Sequence, residues 1–359
     1  MKTASIITVH VGANFGSNLQ TIATSEVLKR LGLEPIVIDY FPPRVTWKRF
    51  LSKWYTPYKF IYICIRLIKR YMNIKIYMSY LKKYCTLSNR IYEEDNFSQT
   101  CPKTDYYITG SDQVWNSKYN EGIDKHYFFE GIEGTKIAYA SSIGAISLTE
   151  EEQKTFPELL KDYKAISVRE NSAVELLRNI NISAIHVLDP TLMLNKNEWE
   201  RFASNYTISS PYILVYLPYN ISNKELIYKT VQAIAQKKHL KVVTFSWNYF
   251  NDRYADKTVK FASPGDFLSL MLNASYIITN SFHGTAFAIN LNKQFWVYMP
   301  SKFSTRIESL LEICNLNNRQ LDSIISEDDI DKEIDYAIVN ALLDSERKQT
   351  MDFLNGAID

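Results

Sequence analysis

Cysteine and histidine are scarce in this sequence, although they supply most zinc ligands in proteins. The four cysteines are Cys64, Cys85, Cys101 and Cys314; they form no CxxC pair and have no histidine at ligand spacing. This pattern predicts no metal site and no disulfide framework, and it is typical of a reducing compartment.

Long apolar runs are missing as well. The first residues, MKTASIITVHVGANFG, carry too short an apolar stretch for a signal peptide. No run approaches the roughly 18 uninterrupted apolar residues of a spanning helix. The sequence therefore predicts a cytoplasmic protein, and 46% hydrophobic residues in 359 are enough to fill the cores of two domains.

Acidic residues are absent from one segment. Residues 44–83 contain eleven Lys or Arg and no Asp or Glu, so the rest of the chain, with 30 basic and 39 acidic residues, carries −9. Aromatic residues are interleaved with these charges, and a basic aromatic helix can lie on an anionic membrane surface. The alternative is a pair of amphipathic helices packed on the domain with solvated charges. No nucleic-acid-binding pattern accompanies the charge, so nucleic acid is not an expected partner.

Short β-rich runs alternate with helical patterns along the chain, which predicts an α/β fold with parallel sheets. The runs are TASIITVHV, EPIVIDYF, DYYITGSD, TKIAYASSI, AISVRE and SAIHVLDPT in a first series, and YILVYLPY, LKVVTFSW, ASYIITNSF and KQFWVYMP in a second. The two series predict two Rossmann-like domains that face a cleft, with a hinge near residues 190–210. The predicted domains are 1–195, with the basic aromatic insertion at 44–92, then 205–335, and a C-terminal helix at 336–359.

Ligands bind beyond the carboxyl ends of the strands in such sheets, so the loops there are candidate sites. The loop HVGANFGSNLQ follows the first strand and opens a helix. Its amides can approach an anion, which makes Asn14, Gly16 and Ser17 candidate binding residues. Its glycines are four positions apart, unlike the GxGxxG fingerprint, and a plain strand-to-helix turn is an equal alternative.

The loop GSDQVWN at 110–116 is dense in hydrogen-bonding groups. A carboxylate and amides suit sugar hydroxyls, and an aromatic ring suits the face of a pyranose. The candidate sugar-binding residues are Gly110, Ser111, Asp112, Gln113, Trp115 and Asn116. The alternative is that Asp112 caps a helix, since Asp and Ser are favoured at that position.

Two charged residues follow later strands of the first series. Arg169 comes at the end of AISV, where its planar cation can point at a carboxylate or phosphate. The alternative for Arg169 is a salt bridge to a neighbouring acid. Asp189 begins an Asp-Pro turn that leaves the first domain, and we interpret it as structural.

The stretch YIITNSFHGTAFAIN changes at residues 280–284 from a strand pattern to a helix of small residues. Ser281 and His283 are thus placed at a strand-to-helix turn, where the Gly284 and Thr285 amides can bind an anion. A helix N-terminus also disfavours protonation of an imidazole, so His283 is a candidate base near neutral pH. The alternative is a core or capping histidine.

Taken together, these motifs resemble the polysaccharide pyruvyl transferase family. The resemblance rests on GSDQVWN at 110–116, SVRENSAVELL at 167–177, VLDPTLML at 187–194 and SFHGTAFAINL at 281–291, which occur in the family's order. It implies a GT-B-like fold of two Rossmann-like domains, with the acceptor on the first and the donor on the second.

The resemblance also implies a reaction. The family transfers the enolpyruvyl group of phosphoenolpyruvate onto two hydroxyls of one sugar, giving a pyruvate ketal and phosphate, with phosphoenolpyruvate as co-substrate and no cofactor. His283 matches the family's motif histidine and is the expected acid/base, with Asp112 as the second catalytic candidate. Arg169 and Arg306 are the expected cations for the donor. Some family members have an arginine two positions before that histidine, where this sequence has Ser281.

The expected acceptor is a sugar of a capsular or other surface polysaccharide, or its lipid-linked precursor at the inner face of the membrane. The basic segment would then place the enzyme at an anionic membrane, beside its acceptor. Two other functions stay open. One is a GT-B glycosyltransferase that uses a nucleotide sugar, and the other is a membrane-apposed assembly factor without activity.

Overall fold

The computed structural model describes residues 1–12, 14–45, 60–93, 95–246, 250, 252–300 and 304–359. Residues 46–59, which hold much of the basic aromatic segment, lie outside the described residues, so what was predicted for them stays a prediction. The chain divides into two compact units, Met1–Met193 with Gln349–Asp359, and Leu194–Lys348.

The first unit is built on a six-stranded parallel sheet with the order β2-β1-β5-β6-β7-β8, and β3 and β4 form a separate parallel pair. The strands are β1 (Lys2–Ile7), β2 (Leu33–Val37), β3 (Tyr40–Phe41), β4 (Ile91–Tyr92), β5 (Tyr106–Thr109), β6 (Thr135–Ser141), β7 (Tyr163–Val168) and β8 (Ile185–His186). Ala4, Ile6 and Ile7 of β1 are fully buried. A central parallel strand is covered on both faces, which explains why four consecutive residues of β1, Ala4 to Ile7, are buried without alternation.

Helices follow the strands of the first unit along the chain. They are α1 (Phe15–Arg30), α2 (Phe60–Tyr84), α3 (Phe97–Thr100), α4 (Ser117–Asn120), α5 (Glu150–Leu160) and α6 (Asn171–Arg178). Short 3-10 turns lie at Pro43–Val45, Lys125–Phe128 and Pro190–Leu192.

The second unit has a five-stranded parallel sheet with the order β11-β10-β9-β12-β13. Its strands are β9 (Tyr212–Tyr216), β10 (Lys241–Phe245), β11 (Lys257–Val259), β12 (Tyr276–Thr279) and β13 (Gln294–Val297). Its helices are α7 (Lys196–Glu200), α8 (Lys224–Lys237), α9 (Pro264–Asn273), α10 (Phe282–Asn290), α11 (Thr305–Ile313), α12 (Glu327–Asp331) and the start of α13 (Tyr336–Ile358), with 3-10 turns at Asp252–Tyr254 and Asn317–Arg319. The last residues of α13 belong to the first unit.

The strand order reverses once in each sheet. The chain moves from β1 to β2 on one side and continues from β5 to β6 on the other, and β9 and β12 stand in the same relation in the second unit. Adjacent loops diverge at such a switch point and leave a crevice where ligands bind. The loops after β1 and β5, and the loops after β9 and β12, are therefore the candidate ligand-binding loops.

This architecture confirms the predicted α/β fold with two Rossmann-like series. The bounds of two predicted strands are corrected. The strand expected to reach Val11 ends at Ile7, after which Thr8 turns its hydroxyl to the Ser111 carbonyl. The run EPIVIDYF is divided between β2 and β3, because the Asp39 amide bonds to the Ser88 hydroxyl instead of a neighbouring strand.

Candidate active site

The loops after β1 and β5 are joined by side-chain hydrogen bonds at the switch point of the first unit. The Thr8 hydroxyl donates to the Ser111 carbonyl over 2.7 Å, and the Ser17 hydroxyl donates to Oδ2 of Asp112 over 2.5 Å. Gly110 makes this approach possible, since a Cβ there would lie 3.1 Å from Cβ of Thr8. Ser17 of the first predicted loop and Asp112 of the second are thus brought together.

Asp112 has a left-handed backbone, with φ of 73°. Asp tolerates this region better than most residues because its short side chain bonds locally. Here Oδ1 accepts from the Gln113 amide over 2.9 Å and from Nη2 of Arg169 over 3.1 Å. Asp112 is only 5% exposed, and these neighbours hold its carboxylate in one orientation.

Arg169 is buried among carboxylates. Its Nη1 lies 2.8 Å from Oδ2 of Asp189, and its Nε lies 4.0 Å from Oε2 of Glu170. Burial alone would lower the pKa of Arg169, but Asp112, Asp189 and Glu170 more than offset this and raise its pKa above the ordinary value. This corrects the expectation of a fork directed outward, since the cation is engaged by acids of its own unit.

Asp189 belongs to the same network and also shapes the chain. Its Oδ2 accepts from the Ser111 hydroxyl over 2.8 Å, while Oδ1 accepts from the amide and hydroxyl of Thr191 and begins the 3-10 turn. The motifs GSD, SVRE and LDPT, which are far apart in sequence, therefore form one buried network with Arg169 at its centre.

Glu170 fixes the loop that follows β6. Its Oε1 accepts from the Ser142 hydroxyl and from the amides of Ile143 and Gly144, over 3.0, 2.9 and 2.8 Å. Gly144 has φ of 60°, and a Cβ on it would lie 2.9 Å from Oε1 of Gln113. The carboxylate beside Arg169 thus positions the loop against which Gln113 packs.

Three residues of the predicted sugar site have structural contacts. Trp115 is 1% exposed and stacks on Phe128 with ring centroids 5.5 Å apart, which corrects the prediction of an open face for a pyranose. Asn116 accepts the Tyr119 amide as the N-cap of α4 and donates to Gln113 over 2.8 Å.

The amides at the start of α1 are partly used by the chain itself. Asn14 is exposed and is the N-cap of the helix, and its Oδ1 accepts the Ser17 amide over 3.3 Å. Gly16 and Ser17 are buried. The capping turn accounts for this sequence, and the predicted anion role of these three residues stays a prediction.

In the second unit, Asn280 ties together the loops after β9 and β12. It is fully buried; its Nδ2 donates to the Tyr219 carbonyl over 2.9 Å and its Oδ1 accepts the Tyr219 amide over 3.3 Å. These bonds fix the two loops at the switch point. Asn280 was not among the predicted site residues, although an asparagine directly after an apolar strand was a sequence signal that could have identified it.

The turn between β12 and α10 is capped by Ser281. Its hydroxyl accepts the Gly284 amide over 3.4 Å, and its carbonyl accepts the Thr285 amide over 2.9 Å and the Thr285 hydroxyl over 3.0 Å. The prediction that the Gly284 and Thr285 amides bind an anion is therefore corrected, because both amides are hydrogen-bonded to Ser281 within the turn. A Cβ on Gly284 would lie 2.2 Å from Oγ1 of Thr279, so close packing requires glycine here.

His283 and Arg306 both lie close to one aromatic ring, that of Phe282. The His283 ring meets the Phe282 ring edge-on with centroids 5.2 Å apart, and the Arg306 guanidinium lies 5.8 Å from the Phe282 centroid. All three side chains are buried. The second unit thus brings Arg306, from α11, close to the turn that carries Ser281 and His283, although 23 residues separate the arginine from the histidine.

Neither a metal-binding cluster nor a membrane-spanning helix is found among the described residues. In that part of the chain, no cluster of three His, Cys, Asp or Glu is arranged to hold a metal ion. Within the same residues, no helix has the length and apolar character needed to cross a membrane.

Several solved structures have a fold similar to that of this chain. A putative UDP-N-acetylglucosamine 2-epimerase from Listeria monocytogenes has a TM-score of 0.50 at 10% identity, over 99% of this chain and 91% of that one. The S. aureus MnaA–UDP structure gives 0.49 at 14% identity over 97% and 89%, and the Arabidopsis thaliana UGT89C1 complex with UDP-L-rhamnose gives 0.48 at 10% over 99% and 98%. At these identities the likeness shows the fold alone: two Rossmann-like domains of the GT-B-like type.

The family is shown by the sequence itself. Residues 14–301 match the model of the polysaccharide pyruvyl transferase family, so the chain belongs to that family. The resemblance read from the motifs is confirmed. No curated protein matches the sequence.

Proposed function

We propose that this protein transfers the enolpyruvyl group of phosphoenolpyruvate onto two hydroxyls of one sugar, in a surface polysaccharide or its lipid-linked precursor. The family match indicates a transferase that acts on polysaccharide. The observation that carries the finer proposal is the turn of the second unit: a buried histidine at the start of α10, at the switch point, with a buried arginine near it.

The reaction needs a general acid that protonates the methylene carbon of the donor and a general base that removes the proton of the sugar hydroxyl. The methylene carbon of the donor takes a proton from the acid and becomes a methyl group, while the first sugar hydroxyl bonds to the neighbouring carbon and gives its proton to the base. The bond from that carbon to the phosphate oxygen then breaks, the second hydroxyl takes its place, and its proton leaves with the phosphate. His283 is the proposed acid and base, a role that typically contributes 10²- to 10⁴-fold in rate.

The donor brings a carboxylate and a phosphate, which need fixed positive charge. Arg169 lies in the first unit and is engaged by Asp112 and Asp189, whereas Arg306 lies 5.8 Å from the Phe282 ring centroid, beside the turn that carries His283. We therefore propose that Arg306 binds the anionic groups of the donor. Ser281, which stands where some family members have an arginine, adds no charge to this turn. Asp112, at the other switch point, is assigned to the acceptor hydroxyls because its orientation is fixed.

Donor identity can be tested without knowing the acceptor. A ligand that binds only the folded state raises the melting temperature. Phosphoenolpyruvate is expected to stabilise the protein, and the variant Arg306→Met is expected to lose this effect. Stabilisation by UDP or UDP-glucose and not by phosphoenolpyruvate would instead favour the glycosyltransferase alternative.

The chemistry is tested by product release. With phosphoenolpyruvate and a panel of nitrophenyl hexosides, we expect phosphate release and a new ketal methyl signal by NMR. His283→Gln should lower the rate by 10²-fold or more, and Asp112→Asn should also lower it. The exposed His239→Gln is the matched control and should leave it unchanged. In cells of the source organism, an unchanged ketal content with His283→Gln would favour the inactive assembly factor.

A further inference from the structure

One helix of the first unit has two unlike faces that the proposed chemistry does not use. α2 (Phe60–Tyr84) is 25 residues long and contains no Asp or Glu. On its inner face, Tyr77 and Met78 are buried, and Tyr77 stacks on Phe15 of α1 with ring centroids 5.5 Å apart. The Asn18 side chain also donates to the Tyr77 carbonyl over 3.3 Å. The helix is therefore fixed to the unit along this side.

The outer face is a continuous exposed stripe. It is formed by residues Ile68, Tyr71, Met72, Lys75, Ser79, Lys82 and Lys83, all of them exposed. At 100° per residue these positions fall within an arc of about 120°, and they extend over about 22 Å of helix. The stripe is thus one face of the helix and not a scatter of surface positions.

The two ends of this stripe differ in chemistry. Ile68, Tyr71 and Met72 are 58%, 68% and 42% exposed, which makes an apolar group of three large side chains. Lys75, Lys82 and Lys83 follow it, and none of them forms an ion pair with a carboxylate among the described residues. Exposed apolar side chains beside cations without acidic neighbours are the pattern of a helix that lies in a membrane interface.

We infer that this exposed stripe of α2 docks the protein on an anionic phospholipid surface, with the lysines at the headgroups and the three apolar side chains between them. Charge complementarity selects this occupant, because the whole helix lacks acidic residues. Nucleic acid would match the lysines but would leave Ile68 and Met72 unused. The inference concerns where the protein binds and is independent of which group it transfers.

The test is flotation of the full chain with vesicles, without donor or acceptor. Neutral phosphatidylcholine vesicles are compared with vesicles that also contain about one third phosphatidylglycerol. The protein is expected to float with the anionic vesicles at low salt and to be released at about 1 M salt, where the Debye length falls to about 3 Å. Absence from anionic vesicles at low salt would overturn the inference.

Matched variants separate this stripe from general positive charge. Lys75→Gln, Lys82→Gln and Lys83→Gln together are expected to lower the partition coefficient on the order of 100-fold, since each lysine near such a surface contributes roughly fivefold. The control exchanges three exposed lysines elsewhere on the unit, Lys103→Gln, Lys154→Gln and Lys164→Gln, and should retain binding. Equal loss in both triple variants would overturn the assignment to this stripe.

The apolar half has its own variant. Ile68→Ser, Tyr71→Ser and Met72→Ser together keep the charge and should still weaken vesicle binding by about tenfold or more. Two outcomes would contradict a lipid partner: oligonucleotide binding that depends on the lysines and not on the apolar residues, or a dimer in solution that this apolar variant dissociates.

Discussion

Nη2 of Arg169 lies 3.1 Å from Oδ1 of Asp112, and 57 residues separate the two in the chain. The same guanidinium holds Asp189 over 2.8 Å, so one buried cation sets the orientation of two carboxylates. Arg169 therefore fixes the orientation of Asp112, whereas the donor contact is proposed for Arg306.

Arg169→Met should be strongly destabilising. Removing one partner of a buried ion pair leaves carboxylates uncompensated, which typically costs about 3–5 kcal/mol. Urea unfolding measures this loss, and Arg178→Met, which removes an exposed pair with Glu175, should cost less than about 1 kcal/mol. Unchanged stability together with weaker phosphoenolpyruvate binding would instead support the hypothesis that Arg169 binds the donor.

Glu170→Gln should loosen the loop after β6. The carboxylate oxygen that accepts three hydrogen bonds becomes a weaker neutral acceptor, and an amide group is placed near the Arg169 cation. Hydrogen exchange at Ile143 and Gly144 is expected to rise at least tenfold. Glu152→Gln, which alters a buried capping carboxylate, should leave these two amides protected. Protection that survives in Glu170→Gln would argue against the positioning role.

Gly284→Ala tests the close packing at the His283 turn. The new methyl group would lie 2.2 Å from Oγ1 of Thr279 and 2.9 Å from Cδ1 of Tyr216. Overpacking of this kind costs about 1–3 kcal/mol, so the unfolding midpoint should fall. Gly356→Ala is the control, because nothing lies within 4 Å of its Cβ position, and it should be neutral or stabilising. A neutral result for Gly284→Ala would mean that α10 can shift away from β12.

Asp39 should make stability dependent on pH. Burial raises the pKa of its carboxyl, but His10 and Arg90 outweigh burial and lower the pKa below the ordinary value. A lowered folded pKa stabilises the native state above the unfolded pKa of about 4, and this contribution is lost as the pH falls through the folded value.

The variant Asp39→Asn should therefore be less stable than the parent protein at pH 7, by about 2 kcal/mol. The difference should shrink when urea unfolding is repeated at pH 5, 4 and 3. Asp162→Asn, at an exposed position, should show no such trend. A difference that stays constant from pH 7 to pH 3 would show that lost packing, and not charge, is responsible.

The positions of the candidate residues could be predicted, whereas their contacts could not. An apolar run followed by polar residues identifies the end of a strand, which is why Asp112 and His283 were placed correctly at strand ends. The partners of Arg169 come from residues 57 and 20 positions away, and only the sheet order brings them together. The prediction that Trp115 offers an open ring face is wrong because its partner Phe128 lies 13 positions further along the chain, and no local pattern indicates that the two rings stack.

The last helix has a consequence for the order in which the protein is made. Leu188 donates its amide to the hydroxyl of Thr350 over 3.1 Å, and the Tyr106 hydroxyl donates to the Ile358 carbonyl. Residues 349–359 are the last part of this sequence to be synthesised, yet they complete the first unit. Domains usually fold as they emerge from the ribosome, N-terminal first. The first unit therefore stays incomplete until all of the second unit, Leu194–Lys348, has been translated.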